Sequence, residues 1–253
     1  VYKRQPVYNC FFSSIRNNGC EVASNPLVYE NHTYRIDFED LERKASDERV
    51  KVMLLCNPHN PAGRVWTREE LIQIGEICLR HNVTVVSDEI HCELTYPGHA
   101  YTPFASLPET FTGHAVTCIS PSKAFNIAGL QIANIVAPDE DMHRRIDKAI
   151  NINEVCDVNP FGVIATIAAY RKGEDWLDQL LAYLQGNYRY MKEFCTEHLP
   201  DFPICKLEGT YLVWMDCRTL ATPSAELEHR LTREARLWPV SYTHLRAHET
   251  PEH

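Results

Sequence analysis

Short apolar runs rich in β-branched residues alternate along the chain with longer stretches whose apolar positions recur at helical spacing. The run Arg49-Val50-Lys51-Val52-Met53-Leu54-Leu55 reads as a buried strand, and the Pro- and Gly-containing stretch Asn57–Gly63 after it reads as a loop. Thr67 stands three residues before Glu70, a capping box that predicts a helix start; Leu71, Ile74, Cys78 and His81 then continue at helical spacing to about Asn82. Val83-Thr84-Val85-Val86 is the next short strand. A strand, helix and strand of this length form a βαβ unit with a right-handed crossover, and hence a parallel sheet.

The same reading extends down the chain. Ala115–Ile119 and Gln131–Ala137 are predicted strands, Asp139 caps a helix running to about Ile150, and 160–170 is helical. A long helix is predicted over 176–199, with Leu177, Leu180, Leu181, Leu184, Tyr188, Met191 and Phe194 as its apolar positions. Gly186 inside it costs about 1 kcal/mol against Ala, and Pro200 and Pro203 stop it. Ile204–Leu207 and Tyr211–Met215 read as strands around Glu208-Gly209, and Ser224 as the cap of a helix to Arg236. The prediction is a parallel α/β unit followed by a smaller α+β piece.

Composition narrows the setting. The 253 residues suffice for one large or two modest domains, and 44% hydrophobic with 23% charged is ordinary for a soluble globular chain. A formal net charge of -9 disfavours nucleic acid or an anionic membrane as a partner, and no apolar run is long enough to span a bilayer. The chain opens on Val1 with Lys3-Arg4 and no apolar segment, so no signal peptide is expected. Ten scattered cysteines without a CxxC pair read as free buried thiols in a reducing cytoplasm, with no metal site.

Candidate chemistry lies where ligands of open α/β sheets bind, outside the carboxyl ends of the strands. Asn60 follows the first strand, Asp88 the second, and Ser120, Ser122 and Lys123 the third. A lysine in such a place supplies an amine for a Schiff base, although a lone lysine is ordinarily a surface residue. Asp88 can pair with a protonated pyridine nitrogen, where capping or metal binding would be its ordinary roles. Asn60 can bond a ring hydroxyl or simply form a turn, and the two serines can donate to a phosphate. SPSK at 120–123 also fits the SxxK arrangement of serine acyl-enzymes, but neither an SDN nor a KTG partner occurs. His91-Cys92-Glu93 carries the HxE half of a zinc deaminase signature without the PCxxC that should follow.

NPHNPAGRVWTREEL from 57, SDEIH from 87 and SPSKAFNIAGLQ from 120, with GNY at 186–188 and EGTYLVWMD at 208–216, resemble the fold-type-I pyridoxal phosphate enzymes, the aminotransferase class I/II superfamily. Within it they look most like the MalY/PatB branch, the cystathionine β-lyases or carbon–sulfur lyases. The resemblance covers about residues 1–236. It implies a three-layer α/β fold of the pyridoxal phosphate-dependent transferase type. A mostly parallel sheet lies in a large cofactor domain over 1–174, and a long helix with part of a small α+β domain over 175–239. It implies pyridoxal 5'-phosphate as cofactor, bound covalently by Lys123, with Asp88 at the pyridine nitrogen and Asn60 near the ring hydroxyl. Tyr8 would stack on the ring face, Ser120 and Ser122 would hold the phosphate, and His91 would stand where many aminotransferases place a tyrosine toward the ring hydroxyl. The implied reaction is α,β-elimination on an L-cysteine thioether, giving a thiol, pyruvate and ammonia. The full-length protein is expected to be a cytoplasmic homodimer. An aminotransferase of the same fold and a non-catalytic regulator built on it are the alternatives.

The chain departs from the family pattern at both ends. Family members begin earlier, with an arm and a glycine-containing turn that cradles the phosphate. After Pro239 they continue to an arginine that grips the substrate carboxylate. Residues 240–253 match none of this, Arg246 has the wrong context, and the tail reads as an artefact. The expectation is a fragment truncated at both ends that is itself inactive.

Overall fold

A computed structural model of the protein describes residues 7–154 and 157–239, and the backbone of 245–246. Its elements run α1 (Cys10–Asn17), β1 (Val28–Glu30), β2 (Thr33–Arg35), α2 (Phe38–Ala45), β3 (Val52–Cys56), α3 (Arg68–Arg80), β4 (Thr84–Asp88), α4 (Glu109–Thr112), β5 (Ala115–Ile119) and β6 (Asn134–Val136). There follow α5 (Glu140–Asn151), α6 (Pro160–Lys172), α7 (Glu174–His198), β7 (Met215–Asp216), α8 (Ser224–Arg233) and β8 (Leu245–Arg246). The central sheet has the order β3-β4-β5-β6. β3, β4 and β5 are parallel, and β6 closes the series antiparallel to β5.

The capping box forms as the sequence predicts. Glu70 N–H donates to Thr67 Oγ1 at 3.2 Å, and Thr67 N–H donates to the Glu70 carboxylate at 2.8 Å. The helix it starts, α3, buries Leu71, Ile74, Ile77 and Cys78. These side chains join Leu55, Val85 and Ala115 from the sheet and Leu41 from α2 in the main core, with Trp66 and Phe104 at its ends. Because side chains alternate across a strand, this core covers only one face of the sheet. The other face carries Cys56, Asp88 and Cys118 in one row across three strands.

A second link crosses most of the sequence. The Arg64 guanidinium donates through Nε to Glu208 at 2.8 Å and through Nη2 to Glu70 at 3.0 Å, and lies over the Trp66 ring at 4.8 Å. Val65 N–H also donates to Glu208 at 3.0 Å. Gly209 sits beside this pair because no side chain fits there: a Cβ would come within 2.8 Å of Val65 Cγ2 and 3.0 Å of the Leu94 carbonyl. Tyr188 of α7 receives Leu207 N–H and contacts the Cys205 carbonyl, each at 3.3 Å. The EGTYLVWMD stretch therefore ties the chain after α7 to the loop after β3, and Tyr188 of GNY holds α7 to residues 205–207.

Several expectations change. The two strands expected over 204–215 reduce to the two residues of β7 and single bridges at Ile204 and Gly209. Their backbone donors are spread over separate neighbours: Cys205 to Trp214, Lys206 to His32, Glu208 to Gly63 and Thr210 to Leu94. The strand expected over 131–137 is shorter, since Gln131 adopts a left-handed conformation at φ 50° and ends the preceding turn. Ser224 is the first residue of α8 and makes no capping bond; Pro223 precedes the helix instead. The stripe on α7 is half-buried through Tyr188 and exposed at Met191 and Phe194. Cys10 and Cys20 are exposed, α1 having no buried residue, while the other described cysteines are at least half-buried and all nine are unbridged. Of the unusual tail, 240–244 and 247–253 lie outside the described residues. Leu245 and Arg246 pair in parallel with Met215 and Asp216, a strand the sequence pattern did not suggest. No helix among the described residues is long and apolar enough to cross a membrane.

Removing one partner of a buried ion pair strands the other charge. Glu208→Ala is expected to lower stability by about 3 kcal/mol in urea denaturation. Arg64→Leu/Glu208→Leu together should cost less than Glu208→Ala alone. Equal or greater loss in the double variant would contradict the pairing.

Candidate active site

The register of the parallel strands brings the candidate residues together. Cys56 is the Cα partner of Asp88, and Asp88 of Cys118. Beyond the strand ends, Asn57 N–H donates to the Asp88 carbonyl at 2.9 Å and Glu89 N–H to the Cys118 carbonyl at 2.8 Å. The loops bearing Asn60, His91 and Lys123 thus start from one edge.

Adjacent acids at the end of β4 point to opposite faces. Glu89, fully buried on the core side, accepts from Ser87 Oγ at 2.8 Å, Phe104 N–H at 2.9 Å and the Tyr101 hydroxyl. Burial nevertheless raises its pKa. Asp88 faces the other side, where among the described residues its carboxylate receives only Ile90 N–H, at 3.1 Å. Burial pushes its pKa up, opposed by that N–H and by the charge of Lys123, so Lys123 lies within electrostatic reach.

His91 is 1% exposed, and neither ring nitrogen has a hydrogen-bond partner among the described residues. Burial first, and the Lys123 charge second, lower its pKa to about 4, so the imidazole is neutral at ordinary pH. Its ring meets Tyr211 edge-on, with centroids 5.5 Å apart. Asn60 Oδ1 is likewise buried and unpartnered, while its backbone N–H donates to Cys56 Sγ at 3.3 Å. Tyr8, 40% exposed just before α1, is held up to about 12, chiefly by the Cys10 thiol and by burial. The Asp88 and Tyr211 charges contribute as well.

The turn after β5 is compact, with Phe125 N–H bonded to the Pro121 carbonyl and Ile127 N–H to that of Ser122, both at 3.0 Å. Ser120 Oγ donates to the Ile132 carbonyl at 2.6 Å and accepts from Ser122 N–H at 3.1 Å. Its proton is therefore committed to shaping the turn, whereas Ser122 lies buried beside it. Phe125 anchors the turn outward, stacked on Trp176 at 5.8 Å. Lys123 lies within electrostatic reach of both Asp88 and His91, while Asn60 sits in the loop after β3 and Ser122 in the turn after β5. Sequence reasoning missed Tyr211 and Cys56. Tyr211 had a signal in the EGTY stretch; Cys56 had only its place at a strand end.

Comparison with known proteins accords with this arrangement. The profile of the aminotransferase class I and II family matches residues 1–249, and the chain belongs to that family. It is 44% identical to cystathionine beta-lyase PatB of Bacillus subtilis over 94% of its own length and 61% of that protein. Cystalysin from Treponema denticola, solved with a pyridoxal 5'-phosphate cofactor, superposes with a TM-score of 0.90 at 34% identity, covering 92% of this chain and 59% of that one. A pyridoxal phosphate-bound C–S lyase from Staphylococcus hominis gives 0.83 at 35%, covering 91% and 58%. The fold is that of the fold-type-I enzymes, and the chain spans about three-fifths of the length of these relatives.

His91 yields a pH prediction. Its folded pKa of about 4 lies below the ordinary 6.5, so between those values the unfolded chain binds a proton that the folded chain refuses. Its contribution is fully present above pH 6.5 and lost as pH falls toward 4. Urea midpoints of the wild type should fall through that window, and His91→Gln should flatten the fall by on the order of 3 kcal/mol. Parallel profiles for the two proteins would contradict a neutral buried imidazole.

Proposed function

We propose that this chain carries the cofactor centre of a pyridoxal 5'-phosphate-dependent carbon–sulfur lyase acting on L-cysteine thioethers. The observation that carries the reading is Lys123 within electrostatic reach of both Asp88 and His91, beside two buried polar groups, Asn60 Oδ1 and the His91 ring, that have no hydrogen-bond partner among the described residues. A pyridine ring bearing a phosphate and a hydroxyl fits this set. Asp88, destabilised as an anion by burial, gains a cationic partner in the protonated ring nitrogen. Asn60 and neutral His91 would gain partners in the cofactor, and Tyr8 would pack against it. Ser122 would help hold the phosphate, while Ser120 would act through the turn it shapes.

Bound there, the cofactor supplies an electron sink conjugated to the substrate α-carbon. The chain's own residues supply the rest. Lys123 Nζ gives the amine that holds the cofactor between turnovers. The same Nζ would serve as the base for the substrate α-proton. His91, being neutral, adds no charge that would oppose proton uptake by Lys123. Loss of the β-thiolate then leaves a three-carbon fragment that water converts to pyruvate and ammonia. For cystathionine the thiol is homocysteine.

The resemblance of the motifs and the relatives' own descriptions support this reading over transamination. We further infer a cofactor unit over 1–174, a helix and partial small domain over 175–239, and a cytoplasmic homodimer for the whole protein. The composition of 240–253 remains unusual, although the family profile extends through it to residue 249.

With pyridoxal phosphate, the chain should develop the visible absorbance of lysine-bound cofactor. Lys123→Ala should abolish it, and Asp88→Asn should weaken binding at least tenfold. A protein of family length carrying these residues should release pyruvate and thiol from cystathionine in equal amounts. Amino transfer to a keto acid without thiol release would instead identify an aminotransferase.

A further inference from the structure

Cys56 ends β3 with its thiol buried on the Asp88 side of the sheet, 2% exposed. Burial and the Asp88 charge push the thiol up to about 12, so it stays protonated. Its sulfur makes two bonds into the following loop. It donates to the Pro58 carbonyl at 3.4 Å and accepts the Asn60 N–H at 3.3 Å. The residue's carbonyl is fixed as well, by Trp66 Nε1–H at 2.9 Å. Asn60 is thus held by its backbone at the strand end, while its side-chain Oδ1 is buried without a partner.

We propose that Cys56 is a positioning residue for Asn60, its thiol closing the loop so that the Asn60 amide faces the ring substituents of the bound cofactor. The inference rests on the functional reading above. Two properties are needed at this atom, a donor for Pro58 and an acceptor for Asn60. A thiol or hydroxyl supplies both, and a methyl supplies neither. Without the sulfur, the Asn60 N–H loses its acceptor inside a half-buried loop and the loop must shift to recover one.

Cys118 provides an internal control. It flanks Asp88 from the opposite strand in the same row, is half-buried, and lies on β5 rather than before the Asn60 loop. Loss of a thiol beside Asp88 can therefore be separated from loss of the loop bond.

The test compares wild type, Cys56→Ala, Cys56→Ser and Cys118→Ala by two readouts. The first is hydrogen exchange of the Asn60 amide in the cofactor-free chain. The second is the dissociation constant of pyridoxal phosphate from the absorbance of its lysine-bound form. Cys56→Ala should speed Asn60 exchange and weaken cofactor binding roughly fivefold, the scale of one hydrogen bond. Cys56→Ser should recover most of both effects, and Cys118→Ala should change neither by more than about twofold. Unchanged Asn60 exchange in Cys56→Ala would overturn the proposal, as would an equal loss of binding in Cys118→Ala. Should wild type bind no cofactor, the functional reading fails, and the exchange readout alone still decides whether Cys56 holds Asn60.

Discussion

The parallel register of β3, β4 and β5 is the constraint on which the site depends. In a parallel pair, residues aligned across the ladder project to the same face, so Cys56, Asp88 and Cys118 form one row. A slip of one residue in β4 would exchange Asp88 for Glu89, putting Asp88 into the hydrophobic core and Glu89 toward Lys123. Glu89 opposes such a slip. Its hydrogen bonds to Ser87, Tyr101 and Phe104 are made on the core face. The two acids therefore divide the work: one locks the strand, and the other is left with a single N–H and a nearby lysine.

The second constraint is the buried Arg64–Glu208 pair. It joins the loop after β3 to the chain beyond α7, across more than half the sequence. Glu208 is followed by Gly209, Thr210 and Tyr211, and Tyr211 lies edge-on to His91. The ion pair thereby brings an aromatic wall to the site from a segment that contributes almost no regular strand. Gly209 allows the approach, since no side chain fits between Val65 and Leu94.

Much of this was legible in the sequence where local rules coincide with the fold. The Thr67–Glu70 capping box, the β5 strand and the helix capped by Asp139 formed as the pattern predicts. The strands that precede Asn60, Asp88 and Lys123 formed in the predicted order as β3, β4 and β5. Legibility failed where long-range partners decide the local form. The 204–215 segment has strand-like composition, but its amides bond to His32, Gly63, Leu94 and Trp214 in turn, so no ladder develops. Ser224 has the chemistry of a cap without its geometry. Ser120 resembles a phosphate ligand by position, yet its proton goes to the Ile132 carbonyl twelve residues away. The hairpin of β1 and β2 and the helices α1 and α2 went unrecognised, being short elements of three to eight residues.

The central claim is that one lysine, aligned by this register with Asp88, Asn60 and His91, is the attachment point of the cofactor. Borohydride reduction of the pyridoxal phosphate-treated chain, followed by peptide mass spectrometry, tests it most directly. The account predicts one phosphopyridoxyl group per chain, on the peptide containing Lys123. Label spread over several lysines, or concentrated on another such as Lys172 or Lys206, would contradict it.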